Sequence, residues 1–449
     1  MNMSFKHIAD FVPDYQGLPT LDEMFSHTSL LAAQKNPLVT IRPLGVSREG
    51  EPIELISIGC GQRQALLVGT PHPNEPIGCL TIEFLMDHLI ADQQLRQKLD
   101  YTWHFIKSIE PDGLRLNEGW LKTPHDFNTY LKHFFRPALD EQADYTFPLN
   151  IPNYSFENSS PENIAWQEAI RIVKPDLLVS LHNSEHGGVF YVLTEEIEEL
   201  SVQLMKQPEI YGMTLDVVGE LFAETKQLHP GVFLAPNIEN FVSASLETRI
   251  YNAGNSSFGF TKKMGTFGLV VETPYWKEVN SLVSEEMMSL EAVMAPLTST
   301  AEKVISLITT LLPRLSLLAK GKEIRFVRAI KEMQLQIQQT SQINLEQFQM
   351  QLPVAMGQAH QRSIRMMYLR PISMLRQLAF MVESRCGNSD TFPKAAEEMA
   401  RSFLDNSISD PLLTFGMEPV SLKTSVSIQI DAILTTALLL QQKALASLK

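Results

Sequence analysis

Residues 65–78 read ALLVGTPHPNEPIG, and this stretch decides the fold class. It begins with an apolar run typical of a buried strand, continues through a short turn, and leads into a segment with helical spacing of apolar residues. Two further apolar runs also end in polar residues, LLVSLH at 177–182 and GLVVET at 268–273. Ligands of an open α/β sheet bind beyond the carboxyl ends of the strands, so the sequence predicts a functional site there.

The alternation of short apolar runs with helical stretches extends from about residue 30 to 310 and predicts an α/β fold, a sheet covered by helices. The predicted strands are Ile53–Ile58, Ala65–Gly69, Tyr101–Ile109, Asp176–Leu181, Val189–Leu193 and Gly268–Val271. The predicted helices are Pro76–Leu89 and Pro161–Ile172, the second with Ser160 as its N-cap. Residues 110–160 have no sustained period, and we expect long irregular loops there.

The character of the chain changes beyond about residue 312, where strand signals end. Helices are predicted at Glu323–Met350, Arg362–Ser384, Pro393–Asp405 and Leu422–Leu448. We therefore expect two domains, an α/β unit over residues 1–312 and an α-helical C-terminal extension over residues 313–449. The extension is expected to pack on the α/β unit, to help cover its cleft, and to be a possible surface for homo-oligomer formation.

The composition is that of an ordinary globular protein, with 44% hydrophobic and 20% charged residues in 449. A formal net charge of −14 argues against a nucleic-acid partner, because phosphate binding relies on clustered Lys and Arg. No apolar run reaches the ~20 residues of a membrane-spanning helix, so no membrane partner is expected.

The cysteines indicate the redox compartment. Cys60, Cys79 and Cys386 have no paired spacing, which fits neither a disulfide framework nor a cysteine-rich metal site. The first residues, MNMSFKHIADFVPDYQGLPT, lack a basic region followed by an apolar one, so no signal peptide is evident. We expect a cytoplasmic location.

A candidate metal site is formed by His72, Glu75 and His182. His72 and Glu75 are three positions apart across the turn that follows a strand, so their side chains can converge on one ion. His182 ends a second strand and is favoured as third ligand over Glu185 and His186, because strand-end residues are held more rigidly. Three protein ligands and one open position are the pattern of a catalytic zinc ion.

Glu272 ends the third strand and is the candidate general base. Considered alone, a glutamate at this place is most simply a charge at the end of a strand. Beside a metal-activated water molecule it becomes the natural proton acceptor, which can pass the proton to a leaving amine. The residues thus predict a zinc hydrolase.

These segments together resemble the zinc carboxypeptidases of the carboxypeptidase A type, over roughly residues 30–310. The resemblance rests on four stretches. They are Gly45–Ile53, His72–Glu75, Pro111–Gly113 and Ser160–His182. It implies a mixed central sheet flanked by helices, Zn²⁺ as cofactor, and hydrolysis of a peptide or related amide bond.

The resemblance also implies roles for residues between the motifs. Arg115 resembles the arginine that stabilises the oxyanion of the tetrahedral intermediate. The sequence Asp126-Phe127-Asn128 is similar to the family's Asp-Leu-Asn. Asp126 would then orient a zinc-bound His72, and Asn128 would contact the substrate carboxylate.

Three further positions concern substrate recognition. Tyr251 lies in a segment similar to the one that bears the family's mobile substrate-binding tyrosine, and Phe258 falls where the family lines its side-chain pocket. Thr129 is a departure, because the family has an arginine there that binds the terminal carboxylate of the substrate. Arg136 is a candidate substitute from the neighbouring loop, although a solvated surface charge is the commoner fate of an arginine.

Three functions remain open from the sequence. The first is a zinc carboxypeptidase. The second is a zinc amidase or deacylase that acts on small N-acyl amino acids or cell-wall-type peptides without strict carboxylate recognition, which Thr129 favours. The third is a catalytically silent binding module, against which the retention of all three candidate ligands and Glu272 argues.

Overall fold

The computed structural model describes residues 4–217, 225–245, 252–278, 287–341, 351–387, 390–410, 413 and 416–447. The helices are α1 Lys6–Ala9, α2 Leu21–Ala33, α3 Ile77–Ala91, α4 Gln93–Leu99, α5 Pro111–Leu121, α6 Phe127–His133, α7 Pro161–Val173, α8 Glu198–Ile210, α9 Ile238–Ser245, α10 Ser257–Thr261, α11 Leu290–Leu318, α12 Glu323–Ser341, α13 Val354–Cys386, α14 Phe392–Ile408 and α15 Leu422–Ser447. The strands are β1 Val39–Val46, β2 Pro52–Ile58, β3 Arg63–Gly69, β4 Tyr101–Ile106, β5 Leu149–Ile151, β6 Tyr154–Phe156, β7 Leu177–His182, β8 Phe190–Leu193, β9 Gln227–His229, β10 Val232–Leu234, β11 Phe267–Glu272, β12 Trp276–Glu278, β13 Met287–Ser289, β14 Gln351–Pro353 and β15 Met417–Pro419. Single 3₁₀ turns occur at Leu139–Glu141, Ala143–Tyr145 and Lys262–Met264.

The central sheet has the strand order β1-β2-β4-β3-β7-β11-β8-β10-β9. Its middle strands β4, β3, β7 and β11 run parallel. Antiparallel pairs adjoin them on both sides, β2 with β4 and β8 with β11. The predicted mixed sheet flanked by helices is thus confirmed, and the three strands that carry the candidate site lie side by side.

The core follows from the alternation of side chains along the strands. In β3, Leu66 and Val68 belong to the buried cluster that contains Trp166 of α7, whereas Leu67 belongs to the larger cluster on the other face. Because both faces of the middle strands are covered, the strands are apolar throughout rather than alternating with polar residues. The predicted N-cap of α7 is also confirmed, since the Ser160 hydroxyl accepts a hydrogen bond from Asn163 N at 3.1 Å.

Helix α15 is part of the core of the α/β unit. It packs against α3, α4 and α8 and against strands β7 and β11. Among the described residues, the stretch Leu422–Ala446 of this helix is the one that is long and apolar enough to cross a membrane, yet 89% of its most apolar window is buried inside the protein. Its buried Asp431 has partners within the fold, because it accepts hydrogen bonds from Ser4 Oγ at 2.8 Å and Phe5 N at 2.6 Å.

The other C-terminal helices form a bundle around α13, which packs against α11, α12, α14 and α6. The predicted C-terminal helices are therefore present in the described residues, with α12 described to Ser341 and α13 beginning earlier than expected, at Val354. Helix α11 runs without a break across residue 312. The division of the chain into domains at that residue stays a prediction.

The region 110–160 differs from the expected long loops, because it contains α5 and α6. Helix α5 buries Leu114, Asn117, Trp120 and Leu121, which have the spacing of one helical face. The two helices have 11 and 7 residues, so each is too short to show a sustained period in the sequence. Strand β1 was also not predicted, because Pro43 interrupts it, which the sheet tolerates at an edge.

A polar cluster beside β4 gives a first prediction, on stability. His27 Nδ1 lies 3.1 Å from Glu83 Oε1, and His27 Nε2 lies 3.3 Å from Asp87 Oδ1. Hydrogen bonds to Asp87 and Glu83 raise the pKa of His27 from 6.5 to about 9, although burial and the nearby Lys107 ammonium act against the charge. The pKa of the folded state exceeds that of the unfolded state, so this stabilisation is fully present below pH 6.5 and is lost as the pH rises through about 9.

We expect the free energy of unfolding of the wild type to decline over that pH window, and the decline to be smaller in His27→Gln. Urea denaturation of both proteins at the two ends of this pH window measures the decline in the free energy of unfolding. An equal decline in the variant would show that His27 does not contribute.

Candidate metal centre and active site

The turn after β3 brings His72 and Glu75 into the interior. Thr70 leaves the strand with φ +52°, in the left-handed region, and Glu75 N donates to His72 O at 3.0 Å. Helix α3 then starts against the end of β7, and a Cβ on Gly78 would lie 2.6 Å from Leu181 Cβ. A glycine is therefore required at 78, because it lets the start of α3 approach the strand that carries His182.

The structure brings His72, Glu75 and His182 together. His182 Nδ1 donates to Glu75 Oε2 at 2.9 Å, and the centroids of the His72 and His182 rings are 4.9 Å apart. The exposed fractions of the three residues are 3%, 5% and 7%. His182, at the end of β7, thus lies against the side chains of both residues from the turn between β3 and α3.

The two histidines have opposite shifts in pKa. Burial, together with the charges of Arg136 and His182, lowers the pKa of His72 well below 6.5. Burial also acts against a charge on His182, but the hydrogen bond to Glu75 and the charges of Glu75, Glu272 and Asp144 outweigh it and raise the pKa of His182 to about 9. The carboxylates around His182 therefore attract a cation to this point.

These residues fit a zinc ion. His72 Nδ1 is buried, and within the described part of the chain it has no hydrogen-bond partner, which is costly for a polar atom unless something binds it. Two imidazoles and a carboxylate are ligands that zinc accepts. His182 belongs to two groups of possible ligands, His72–Asp144–His182 and Glu75–His182–Glu272. Within each group the ligand atoms lie within 4.8 Å of one another.

Glu272 lies beside this centre. It pairs with His182 in the register of β11 and β7, and its Oε1 is 3.8 Å from His182 Nδ1. Glu272 is 7% exposed, so its carboxylate is enclosed with the candidate ligands. A carboxylate at this place can take a proton from a water molecule that occupies an open metal position.

Asp144 is a residue of the centre that the sequence reasoning did not find. Its carboxylate is buried with His72 and His182 and accepts a hydrogen bond from Ser257 N at 3.1 Å. Burial raises the pKa of Asp144, although His182 and Ser257 act against this rise. The sequence signal available was weak, an acidic residue before the aromatic Tyr145, whose ring stacks on that of His72 at 5.4 Å.

Asn183 connects the three elements of the centre from the loop side. Its side-chain oxygen accepts from Ile77 N at 3.0 Å, and its amide nitrogen donates to Thr273 Oγ1 at 3.0 Å. The first bond satisfies a backbone donor at the start of α3, and the second ties the residue after β11 to the residue after β7. This side chain therefore holds the positions of Glu75, His182 and Glu272 relative to one another.

Glu185 and His186, the alternatives to His182, have other partners. Glu185 accepts from Tyr130 OH at 2.7 Å and from Arg370 Nε at 3.0 Å, and His186 lies 3.1 Å from Ser363 Oγ. Burial works against the charge of Glu185, but Arg370 lowers its pKa overall. Neither residue belongs to the two ligand groups found in the described residues.

Arg136 is at the centre and Arg115 is not. Arg136 Nη1 lies 3.1 Å from Glu75 Oε1. Arg115 instead forms ion pairs with Asp22, at 2.8 Å, and with Glu51. Arg115 was predicted to lie beside the reacting carbonyl. The structure places it elsewhere, because its guanidinium pairs with carboxylates outside the centre.

Asp126 and Asn128 are also placed elsewhere. Asp126 is the N-cap of α6, where Oδ1 accepts from Asn128 N at 3.0 Å and Oδ2 accepts from Thr129 Oγ1 at 2.7 Å. Both Asp126 and Asn128 are exposed, whereas His72 is buried. Asp126 therefore does not orient His72, because its carboxylate caps a helix.

The remaining two predicted residues have different outcomes. Phe258 is 9% exposed and packs in the buried cluster with Phe147 and Trp166, in contact with Gly268. The structure thus places its ring in the core on the α7 side of the sheet. Tyr251 lies outside the described residues, so its role stays a prediction.

Residues 24–199 match the family described as zinc carboxypeptidase. The resemblance to the zinc carboxypeptidases is confirmed. The matched segment contains His72, Glu75 and His182. The match to this family supports the interpretation of the chain as a metallopeptidase. Glu272 and the C-terminal helices lie beyond its end. No curated protein matches the chain.

Solved structures with a similar arrangement are metallo-carboxypeptidases. One is from Burkholderia cenocepacia, with 16% identity, a TM-score of 0.35, and coverage of 57% of this chain and 60% of that one. Another is carboxypeptidase A from Helicoverpa armigera, with 15% identity, a TM-score of 0.39, and coverage of 57% and 65%. The chain therefore spans less than two thirds of the length of those two proteins.

Proposed function

We propose that this protein is a zinc-dependent hydrolase that cleaves a peptide or related amide bond, in the manner of a carboxypeptidase. The observation that carries the proposal is the buried cluster around His182, whose Nδ1 lies 2.9 Å from Glu75 Oε2 and 3.8 Å from Glu272 Oε1, and whose ring lies 4.9 Å from that of His72. Zinc, when bound there, would polarise the scissile carbonyl and lower the pKa of water toward ~7.

The side chains of this protein would supply the proton transfers. Glu272 accepts a proton from the attacking water molecule and delivers it to the leaving amine. The surrounding burial favours this role, because in a site with little solvent a fixed carboxylate interacts more strongly with a charged partner than it would in water.

Arg136 takes the role first expected of Arg115. Its Nη1 donates to Glu75 Oε1 at 3.1 Å. When Glu75 turns its oxygens to an ion, this N–H becomes available to an oxygen atom of the substrate beside the same ion. A guanidinium at that position stabilises negative charge that develops on the carbonyl oxygen.

We also propose that the C-terminal helices cover the cleft. Arg370 of α13 forms an ion pair with Glu185, 2.7 Å from Nη2 to Oε2, and Arg328 of α12 forms one with Asp140 at 2.7 Å. These pairs fasten the helices to the loops on either side of the metal centre. The candidate ligands are less than a tenth exposed, which favours a slender substrate such as a chain end.

A second candidate is an amidase or deacylase without strict carboxylate recognition. The specific observation is Thr129, whose hydroxyl donates to the helix cap Asp126, where the family has a carboxylate-binding arginine. The cleavage of a peptide and of its C-terminally amidated twin separates the two candidates. The carboxypeptidase assignment predicts that the free acid is cleaved faster, and equal rates would reject that assignment.

A further inference from the structure

Gln429, on the last helix α15, contacts all three elements that carry the candidate centre. It is fully buried, at 0% exposure. Its side-chain Nε2 donates to His182 O, at the end of β7, at 3.1 Å, and lies 3.5 Å from Val271 O, next to Glu272 on β11. Its Oε1 accepts from Thr81 Oγ1 of α3 at 2.5 Å.

These bonds fix the orientation of the amide group. The Thr81 hydroxyl donates, so the acceptor oxygen of Gln429 points toward α3 and the NH₂ group toward the strand ends. Thr81 is one helical turn beyond Gly78, where α3 makes its close approach to Leu181. The Gln429 amide therefore fills the joint between α3, β7 and β11.

Asn183 makes a second set of bonds between the same elements. Asn183 links the start of α3 with Thr273 from the loop side, and Gln429 links α3 with His182 and Val271 from the helix side. A carbonyl oxygen left unpaired in such a buried joint is costly. The strand ends would then shift toward another donor, and the side chains that they carry would shift with them.

We propose that Gln429 is a positioning residue that holds the ends of β7 and β11 against α3, and thereby fixes His182 and Glu272 for the metal centre. The proposal rests on the proposed function for the role of the two side chains. It extends that function to a helix far outside the segment matched by the family, since Gln429 is 247 residues from His182 along the chain. Helix α15 thus helps to position the residues of the active site, in addition to packing on the sheet.

The test compares Gln429→Met with the matched control Ser427→Ala. Ser427 is on the same helix and buried, but its hydroxyl donates to Ala9 O at 3.2 Å, away from the strands. Zinc affinity, measured by competition with a chromophoric chelator, is expected to fall roughly tenfold or more in Gln429→Met and to stay unchanged in Ser427→Ala, as is usual when a partner that orients a ligand is lost. In Gln429→Met, kcat falls and KM stays the same, because the contacts to the substrate are kept.

A measurement on the metal-free protein separates this proposal from the function. Amide hydrogen exchange of residues 182–183 and 272–273 is expected to speed up in Gln429→Met and not in Ser427→Ala. If the wild type binds no zinc, the proposed function fails, whereas the exchange rates still decide whether Gln429 holds the strand ends. Unchanged exchange and unchanged zinc affinity in Gln429→Met would overturn the proposal.

Thr81→Val provides a second variant in case Gln429→Met fails to fold. It removes the hydroxyl that orients the Gln429 amide and retains a side chain of similar shape. We expect the same changes in exchange and zinc affinity, of smaller size. Wild-type values in a folded Thr81→Val protein would contradict the proposal.

Discussion

Glu272→Gln is expected to lower kcat by about 10²- to 10⁴-fold, the usual contribution of a general base. The amide keeps the shape of the side chain but cannot take a proton from water. Zinc is expected to remain at about one ion per chain, because His72, Glu75 and His182 still bind it. Metal analysis and steady-state kinetics on the same preparation measure both quantities.

The matched control is Glu278→Gln. Glu278 lies six residues further along the chain, and its carboxylate forms an ion pair with Arg362. We expect nearly wild-type turnover from this control. Two results would contradict the role of Glu272: normal turnover in Glu272→Gln, or loss of zinc from it, which would make Glu272 a ligand.

His182→Ala and His72→Ala are each expected to abolish tight zinc binding and, with it, turnover. Removing one of three protein ligands leaves too few for a stable site. The loss also has a thermodynamic signature, because an ion that binds only the folded state stabilises it. At a free zinc concentration of about 100 times Kd, the free energy of unfolding of the wild type should rise by about 2.7 kcal/mol, and that of the variants should not.

His186→Ala is the control for the choice of the third ligand. His186 follows His182 by four residues but contacts Ser363 of α13. We expect this variant to keep its zinc and its zinc-dependent stabilisation. If His186→Ala loses the ion and His182→Ala keeps it, the third ligand has been assigned to the wrong histidine.

The strands and the residues at their ends could be predicted because the signals are local. The runs around Ala65–Gly69, Leu177–His182 and Phe267–Glu272 are mostly apolar up to the strand end, as buried parallel strands are. A residue at the end of such a strand, or in the turn just after it, then lies at a known edge of the sheet. The sequence alone therefore predicts that His72, His182 and Glu272 lie close together, and this prediction does not depend on the course of the loops.

The residues contributed by the 110–160 region could not be placed in this way. Short motifs suggested Arg115 and Asp126, but Arg115 pairs with Asp22 and Asp126 caps a helix. Arg136 and Asp144 lie at the centre instead. The path of short helices and turns over a sheet is set by tertiary packing, which has no period that the sequence could display.

Gln429 was even less predictable from sequence. In the sequence it is one polar residue in a largely apolar helix, and nothing in its neighbours indicates a carbonyl oxygen 247 positions away. Its partner is fixed only when α15 lies across the strand ends.

The placement of α15 has a consequence for folding during translation. Helix α15 packs against α3 and strands β7 and β11, and its Asp431 binds Ser4 and Phe5, which are 427 and 426 positions away along the chain. Contacts between segments so distant in sequence form slowly. We therefore expect the nascent polypeptide to acquire its native tertiary structure only after residues 422–447 have been translated, and its uncovered leucines and valines to be prone to aggregation until then.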